Sequence, residues 1–161
     1  MLSKSETELT REYLAMLEKF GLEFHHFGLA VKEPSQATKF LEGLGYKQER
    51  SVFDQLQNVN FILCNHENMP AVEIIYPASA GVAPVDNLLA RRPEGIIYHL
   101  CYISRDLEDS LKRMGKSGLT VREVVAPIPA SFFADNFISF HMIAGVGLIE
   151  IISKNDSLKE A

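Results

Sequence analysis

Apolar and polar residues follow the same order of patterns twice along the chain. In the first half, a strand-like alternation precedes an apolar stripe at helical spacing, in which Phe40, Leu41 and Leu44 share one face. The predicted elements are a strand at 24–32, a helix opened by Pro34, and strands at 46–53, 59–64 and 71–76. Polar turns separate the last three strands, so this half predicts a βαβββ unit.

The second half repeats this order. Asp106 is predicted to cap a helix that carries Leu107, Leu111 and Met114 on one face and ends near Gly118. The predicted elements are a strand at 96–104, that helix, and strands at 120–126, 136–142 and 147–153. The segment 78–95 is predicted to connect the two halves and to contain one short helix after Pro84.

Weak sequence identity supports an internal repeat. A shift of 73 positions places His26 on His99 and Gly45 on Gly118, and a shift four residues longer places 72–75 on 149–152. Each unit is too small to bury its own sheet, so two copies must pair. We therefore expect an α+β fold in a single domain over 24–153, built from modules 24–77 and 96–153.

Both ends of the chain lie outside this repeat. Ser5 and Glu8 have the spacing of a capping box, and apolar residues follow at helical spacing. We expect an amphipathic helical extension over 1–22 that covers a sheet edge or a subunit contact. Residues 154–161 are predicted to form a polar tail.

Composition narrows the class of protein. Hydrophobic residues make up 47% of the 161 positions and charged residues 23%, which is typical of a globular chain. The net charge is −5 without a basic block, so nucleic acid is not an expected partner. No apolar run approaches the roughly 20 residues of a membrane span, and the polar N-terminus does not resemble a secretory signal. Cys64 and Cys101 form no spaced motif, which favours a reducing, cytoplasmic location.

Four polar residues are each isolated among apolar neighbours on a predicted strand face. Each module has a histidine on its first strand and a glutamate on its last: His26 and Glu73, then His99 and Glu150. A buried, unpaired carboxylate is costly, so each glutamate needs a cation or a hydrogen-bond donor. Singly, each residue is more simply a core histidine or a surface glutamate. Together, two imidazoles and two carboxylates at matched positions favour a divalent metal site.

The other three histidines lack such matched pairing and are interpreted as structural. His25 is predicted to point to the sheet face opposite His26, His66 lies in a polar turn, and His141 has no counterpart. Cys101 lies two residues from His99 on the same face and is interpreted as a small buried hydrophobe. Four phenylalanines fit either the core, which is slightly favoured, or a pocket wall: Phe132, Phe133, Phe137 and Phe140.

Four short segments, 26–31, 72–77, 94–99 and 147–151, resemble the vicinal oxygen chelate superfamily in their order and spacing. This group includes glyoxalase I, methylmalonyl-CoA epimerase, extradiol dioxygenases and bleomycin-resistance proteins. The resemblance covers about residues 24–153, and the whole-chain pattern is most similar to the methylmalonyl-CoA epimerases. It implies two paired βαβββ modules that form a cupped, partly closed sheet with helices outside. It also implies four ligands for zinc, cobalt, nickel or manganese: His26, Glu73, His99 and Glu150.

The resemblance further implies a metal-dependent isomerase, epimerase or lyase that acts through a metal-chelated enolate. Glu150 or Glu73 would move the proton as general base. The expected substrate is a small molecule such as a CoA or glutathione thioester-type compound, and the expected assembly is a homodimer. The epimerases carry an additional acidic residue before their third strand. Leu56 aligns there in this sequence, and Asp54 serves as the base only if the turn shifts by two residues.

Two other functions remain open. A ferrous extradiol-type dioxygenase uses two histidines and one carboxylate with open positions, and Glu73 as a fourth ligand argues against it. A non-enzymatic small-molecule binder of the antibiotic-resistance type can do without a metal, and the complete set of four candidate ligands argues against that function.

Overall fold

The structure is a computed structural model that describes residues 19–78, 81–130, 133 and 136–154. The helical extension predicted over 1–22 therefore lies outside the described residues except at its end, where residues 19–21 form a turn. The predicted polar tail lies outside them beyond residue 154.

The described residues form two series of elements in the predicted order. The first series consists of β1 (Leu22–Ala30), α1 (Ser35–Gly43), β2 (Lys47–Gln48), β3 (Val52–Asp54), β4 (Val59–Asn65) and β5 (Ala71–Pro77). A short helix, α2 (Asp86–Arg91), follows. The second series consists of β6 (Ile96–Ser104), α3 (Leu107–Lys116), β7 (Val121–Pro129), β8 (Asn136–Ile143) and β9 (Gly147–Lys154).

All described strands join one open sheet in the order β2-β4-β5-β1-β6-β9-β8-β7, and β3 also pairs with β4. The central pair, β1 and β6, is antiparallel, whereas β1 pairs with β5 and β6 pairs with β9 in parallel. The two halves thus have equivalent topology, and the prediction of two paired βαβββ modules is confirmed.

The strand predicted over 46–53 is instead two short strands, β2 and β3. Polar residues 49–51 separate them and offer no apolar side chain to either sheet face. Glu49 still donates its backbone N–H to the carbonyl of Leu63 at 2.8 Å, so the chain follows β4 across the gap.

Each half of the sheet has a helix on its outer face. Leu41 of α1 packs against Ile62 and Ile74, and Met114 of α3 packs against Ile149 and Ile151. The side chain of Asp106 caps α3 as predicted, since it accepts a hydrogen bond from the backbone N–H of Asp109 at 2.9 Å. The opposite faces of both halves form an inner, concave surface.

The inner surface carries two further apolar clusters. Val59, Phe61 and Ile75 belong to the first, and Ile138, Phe140 and Ile152 to the second. Alternation along β5 and β9 places Glu73 and Glu150 on this inner side, because their neighbours Ile74, Ile149 and Ile151 face the helices. None of the helices that the structure describes is long and apolar enough to cross a bilayer.

Candidate metal centre

The four candidate ligands come from four different strands, and the pairing of these strands brings them together. His26 in β1 lies opposite Cys101 in β6, and His99 in β6 lies opposite Gly28 in β1. The parallel neighbours then add the carboxylates, since Glu73 pairs with Gly28 and Glu150 pairs with Cys101. One ligand atom from each of His26, Glu73, His99 and Glu150 lies within 4.8 Å of all the others.

The potential ligand atoms of these four residues converge on one position. His26 Nε2 lies 3.3 Å from Glu73 Oε2 and 3.4 Å from Glu150 Oε2. His99 Nε2 lies 3.3 Å from Glu150 Oε2, 3.8 Å from Glu73 Oε2 and 3.3 Å from His26 Nε2. All four residues are buried, and the most exposed of them, Glu73, has 8% of its surface accessible.

The charges of this cluster depend strongly on one another. Burial lowers the pKa of His26, but contacts with Glu150 and Glu73 outweigh it and raise that pKa to about 9. Burial raises the pKa of Glu150, but contacts with His26 and His99 outweigh it and hold that pKa below its usual range. Without a metal, the cluster therefore holds a His26 imidazolium beside an ionised Glu150 at neutral pH.

The donor set fits a divalent cation. Glu150 Oε2 is buried and has no hydrogen-bond partner among the described residues, although two Nε2 atoms lie 3.3–3.4 Å away. Such an oxygen is normally satisfied by a hydrogen bond or a metal ion. Two imidazole nitrogens and two carboxylate oxygens are ligands that zinc, cobalt, nickel and manganese accept.

Gly28 provides the space for the His99 ring. A Cβ built at Gly28 would overlap three atoms of that imidazole, Cε1, Nδ1 and Nε2. At the equivalent place in the other module, Cys101 lies beneath His26 and is fully buried. Burial and the nearby Glu150 carboxylate raise the pKa of the Cys101 thiol far above its usual range, so this thiol stays protonated.

The prediction that His25 points away from His26 is wrong. The pairing of β1 with β6 shifts between Phe24 and His26, so His25 is the extra residue of a β-bulge. Its Nδ1 lies 2.7 Å from Nδ1 of His26. Burial and the neighbouring His26 lower the pKa of His25. Strict alternation along a strand does not hold at a bulge, which is why the sequence pattern misplaces this side chain.

A second bulge lies at the equivalent place in β6. The register shifts there between His99, paired with Gly28, and Ile97, paired with Leu29, so Tyr98 is the extra residue. His25 and Tyr98 correspond under the same shift of 73 positions that relates His26 to His99. Both residues were missed in the sequence analysis, because this correspondence links them to each other without showing that their side chains face the site.

A cavity of about 400 Å³, a volume that includes open solvent, borders three of the four residues. Its wall includes Glu73, His99 and Glu150 together with Tyr98, whose pKa is raised by burial and by the two carboxylates. The rest of the described wall consists of the polar residues Asp54 and Gln57 and the apolar residues Val59, Phe61, Ile75, Ala130, Phe133, Ile138 and Phe140.

Asp54, and not Leu56, faces this cavity. Asp54 is 2% exposed, whereas Leu56 is 63% exposed. Asp54 Oδ1 accepts the backbone N–H groups of Leu56 at 2.8 Å and Gln57 at 3.0 Å, and its Oδ2 accepts the Gln57 side-chain amide at 3.2 Å. The carboxylate is therefore held at the end of β3 on the wall of the same cavity.

The other histidines and phenylalanines considered in the sequence analysis lie away from the four residues or line the cavity. His141 is buried and shares a hydrogen bond of 3.0 Å with the Ser139 hydroxyl. His66 accepts the backbone N–H of Asn68 in the turn after β4. Phe133 and Phe140 line the cavity and also pack in the inner core, so both interpretations of the phenylalanine cluster hold for these two. Phe132 lies outside the described residues.

Solved structures with the same fold include several methylmalonyl-CoA epimerases. The enzyme from Mycobacterium tuberculosis is 20% identical with a TM-score of 0.65, over 86% of this chain and 91% of that chain. A Streptomyces coelicolor methylmalonyl-CoA epimerase variant in complex with 2-nitronate-propionyl-CoA is 15% identical with a TM-score of 0.64, over 81% and 96%. A hypothetical protein from Bacillus halodurans is 20% identical with a TM-score of 0.68, over 83% and 94%. At these identities, the likeness establishes the fold.

No curated protein sequence matches the chain significantly. The family model described as "Glyoxalase/Bleomycin resistance protein/Dioxygenase superfamily" matches residues 25–140, which span β1 to β8 and most of both modules. With its two βαβββ modules and this match over more than half its length, the chain belongs to the glyoxalase/bleomycin resistance protein/dioxygenase superfamily.

Proposed function

We propose that the protein is a metal-dependent isomerase or epimerase that moves a proton on a carbon next to a substrate carbonyl. The observation that carries this proposal is the buried cluster of two imidazoles and two carboxylates, three of which line the cavity. A lyase of the glyoxalase type uses the same proton transfer and belongs to the same proposal.

In this proposal His26, Glu73, His99 and Glu150 hold a zinc, cobalt, nickel or manganese ion. When bound, such an ion supplies a Lewis acid that polarises carbonyl oxygens and offsets the negative charge that develops as a proton leaves carbon. Glu150, whose pKa is held below its usual range by His26 and His99, also keeps its negative charge in a buried site, where electrostatic interactions are strong.

Asp54 is the proposed general base outside the ligand set. It lies on the cavity wall rather than beside the Nε2 atoms of the two histidines, and Gln57 fixes its carboxylate through two hydrogen bonds. A base held in this way meets a substrate proton without first leaving a metal. Glu73 or Glu150 is the alternative base.

The proposed substrate is a small acid derivative with two neighbouring oxygens, such as a CoA or glutathione thioester-type compound. The cavity is lined by both apolar side chains and carboxylates, which suits a short carbon chain ending in a chelating group. The Streptomyces coelicolor epimerase variant among the similar structures is in complex with 2-nitronate-propionyl-CoA, which supports testing CoA thioesters first.

Exchange of a substrate proton with solvent deuterium tests the proposal. We expect the zinc- or cobalt-loaded protein to exchange the acidic proton of methylmalonyl-CoA or of a glutathione hemithioacetal. Asp54→Asn should lower the exchange rate about 10²–10⁴-fold, which is typical for loss of a general base, with unchanged metal content. The matched control is Asp109→Asn, because Asp109 is a partly exposed residue of α3 that pairs with Arg113.

Other outcomes assign the function differently. Normal exchange in Asp54→Asn with loss in Glu150→Gln would make a metal ligand the base. No exchange with any chelating acid by the metal-loaded wild type would overturn the enzyme proposal in favour of small-molecule binding. Retained metal in Glu73→Gln with oxygen-dependent ring cleavage would indicate an extradiol-type dioxygenase.

The cellular location and the assembly of the protein are also part of the proposal, and each rests on a separate observation. Cys64 and Cys101 are both free, buried thiols, which supports a reducing, cytoplasmic location. The edge strand β7 exposes most of its residues and pairs only with β8 among the described strands, which leaves an edge available to a second copy in a homodimer.

A further inference from the structure

The contact between His25 and His26 is a hydrogen bond between two imidazoles. Their Nδ1 atoms lie 2.7 Å apart and their rings are nearly perpendicular, at 74°. Two ring nitrogens approach this closely only when one carries a proton and the other accepts it.

The other nitrogen of His26 decides the direction of this bond. His26 Nε2 faces both carboxylates and His99 Nε2. A histidine that ligates a metal through Nε2 must leave that nitrogen unprotonated, so the proton of the neutral ring is on Nδ1. Nδ1 of His26 then donates to Nδ1 of His25, and the proton of His25 is on its own Nε2.

We propose that His25 is a positioning residue for the metal centre: its Nδ1 accepts the Nδ1–H of His26 and fixes the tautomer in which His26 presents Nε2 to the ion. This inference rests on the metal-binding role proposed above. The β-bulge is what brings His25 to the ligand face, and the ring of Phe133 packs edge-on against His25 at 5.3 Å, which limits its rotation. Such outer-sphere partners typically raise metal affinity by about 10–100-fold.

The second histidine lacks this support. Tyr98 occupies the place equivalent to His25, and its ring contacts His99 at 4.6 Å without a hydrogen bond to the imidazole. His99 Nδ1 is buried and has no hydrogen-bond partner among the described residues. The two modules therefore present their imidazoles differently, and only the first uses a bulge residue as an acceptor.

Zinc affinity of the full chain, measured by competition with a chromophoric chelator, tests the inference. His25→Phe removes the acceptor and keeps a ring, and we expect it to weaken zinc binding about 10–100-fold. His25→Asn places an amide oxygen near the former Nδ1 and should restore most of the affinity. His66→Phe is the matched control, since it removes a histidine from the turn after β4 and should leave zinc affinity unchanged.

Nitrogen-15 shifts of the zinc-loaded wild type provide a readout that needs no variant. Nδ1 of His26 should resonate as a protonated nitrogen, and Nδ1 of His25 as an unprotonated acceptor. The opposite assignment would overturn the inference, as would equal zinc affinity in wild type and folded His25→Phe, or no rescue by His25→Asn. The potential ligand atoms of His25, His26 and Cys101 also lie within 4.8 Å of one another. If the chain binds a second zinc ion that is lost in Cys101→Ser, His25 is a metal ligand, and this result would also overturn the inference.

These outcomes separate the inference from the proposed function. A wild type that binds no divalent ion overturns both. A wild type that binds zinc but is insensitive to His25→Phe overturns the positioning role alone. Zinc binding that follows the expected pattern without any proton exchange overturns the proposed chemistry and leaves the role of His25 standing.

Discussion

At the scale of single residues, two carboxylates and two imidazoles lie in contact in the protein interior. Their charges make the stability of the metal-free protein depend on pH. The His26 imidazolium stabilises this cluster when no metal is bound, since its pKa of about 9 lies well above the 6.5 of an ordinary histidine. Because Nε2 of His26 cannot hold a proton and a metal ion together, metal binding and the imidazolium form of His26 exclude each other.

We predict that the metal-free protein loses stability as the pH rises from about 6.5 to 9. A group whose pKa is raised by folding stabilises the folded state fully below its unfolded pKa, and this contribution disappears as the pH passes its folded pKa. The shift of His26 corresponds to about 3 kcal/mol at most. Chemical denaturation in the presence of a chelator at pH 6.5 and pH 9 measures it.

The variant His26→Gln serves as the control, because it removes the titrating group and should flatten the dependence over this pH range. A wild type whose free energy of unfolding rises between pH 6.5 and 9 would contradict the assigned charges. The ionised Glu150 acts in the other direction: its lowered pKa adds stability above the ordinary pKa of a glutamate and loses it in acid.

The four candidate ligands could be predicted from the sequence because each is a polar residue on an otherwise apolar strand face. His25 and Tyr98 could not, because both sit at bulges, where the two-residue period of a strand is broken. The sequence made the place of Asp54 depend on the turn after β3. In the structure its side chain lines the cavity and accepts hydrogen bonds from the backbone N–H groups of Leu56 and Gln57.

At the scale of elements, the antiparallel pair of β1 and β6 is the centre of the molecule. Its two bulges are related by the internal repeat, and each directly precedes a histidine of the site. The bulges raise the local twist and turn an extra side chain toward the inner face. Close packing between the two strands is therefore a condition for the geometry of the metal centre.

We predict that Gly28→Ala disrupts the site more than the fold. The added methyl group would overlap the His99 ring, which must then leave its position over β1. Overpacking of this kind typically costs about 1–3 kcal/mol of stability. Displacement of one ligand should also lower zinc affinity by at least about tenfold, in line with the effect of disturbing a ligand's support. Thermal unfolding and chelator competition measure the two effects.

Gly115→Ala is the control for this change. Gly115 lies in α3 with open space where a Cβ would be, so alanine should keep zinc affinity and raise stability slightly through its better helix propensity. If Gly28→Ala binds zinc as tightly as the wild type, zinc binding does not depend on the observed position of the His99 ring.

At the scale of the whole molecule, two equivalent modules place their inner faces around one site. Each supplies one histidine from its first strand and one glutamate from its last, so neither module holds the complete set. The module order was predictable from the repeated strand and helix patterns. The order of the strands in the sheet and their pairing could not be predicted, because the periodicity of one strand does not indicate which strand lies beside it.

The residues that line the cavity come from both modules, and only some of them carry a sequence signal. Phe133 and Phe140 follow ordinary core patterns, and their role as cavity wall depends on how the inner faces curve toward each other. The lining of the cavity therefore follows from the tertiary arrangement, whereas the four candidate ligands follow from local sequence patterns.

The most direct test of the metal centre is a crystal structure of the zinc-loaded protein with anomalous data at the zinc edge. We predict one strong peak per chain at roughly 2.0–2.2 Å from a ligand atom of each of the four residues, His26, Glu73, His99 and Glu150. A map with no peak there, and with His26 Nε2 still 3.3 Å from Glu73 Oε2 as in a metal-free ion pair, would contradict the account.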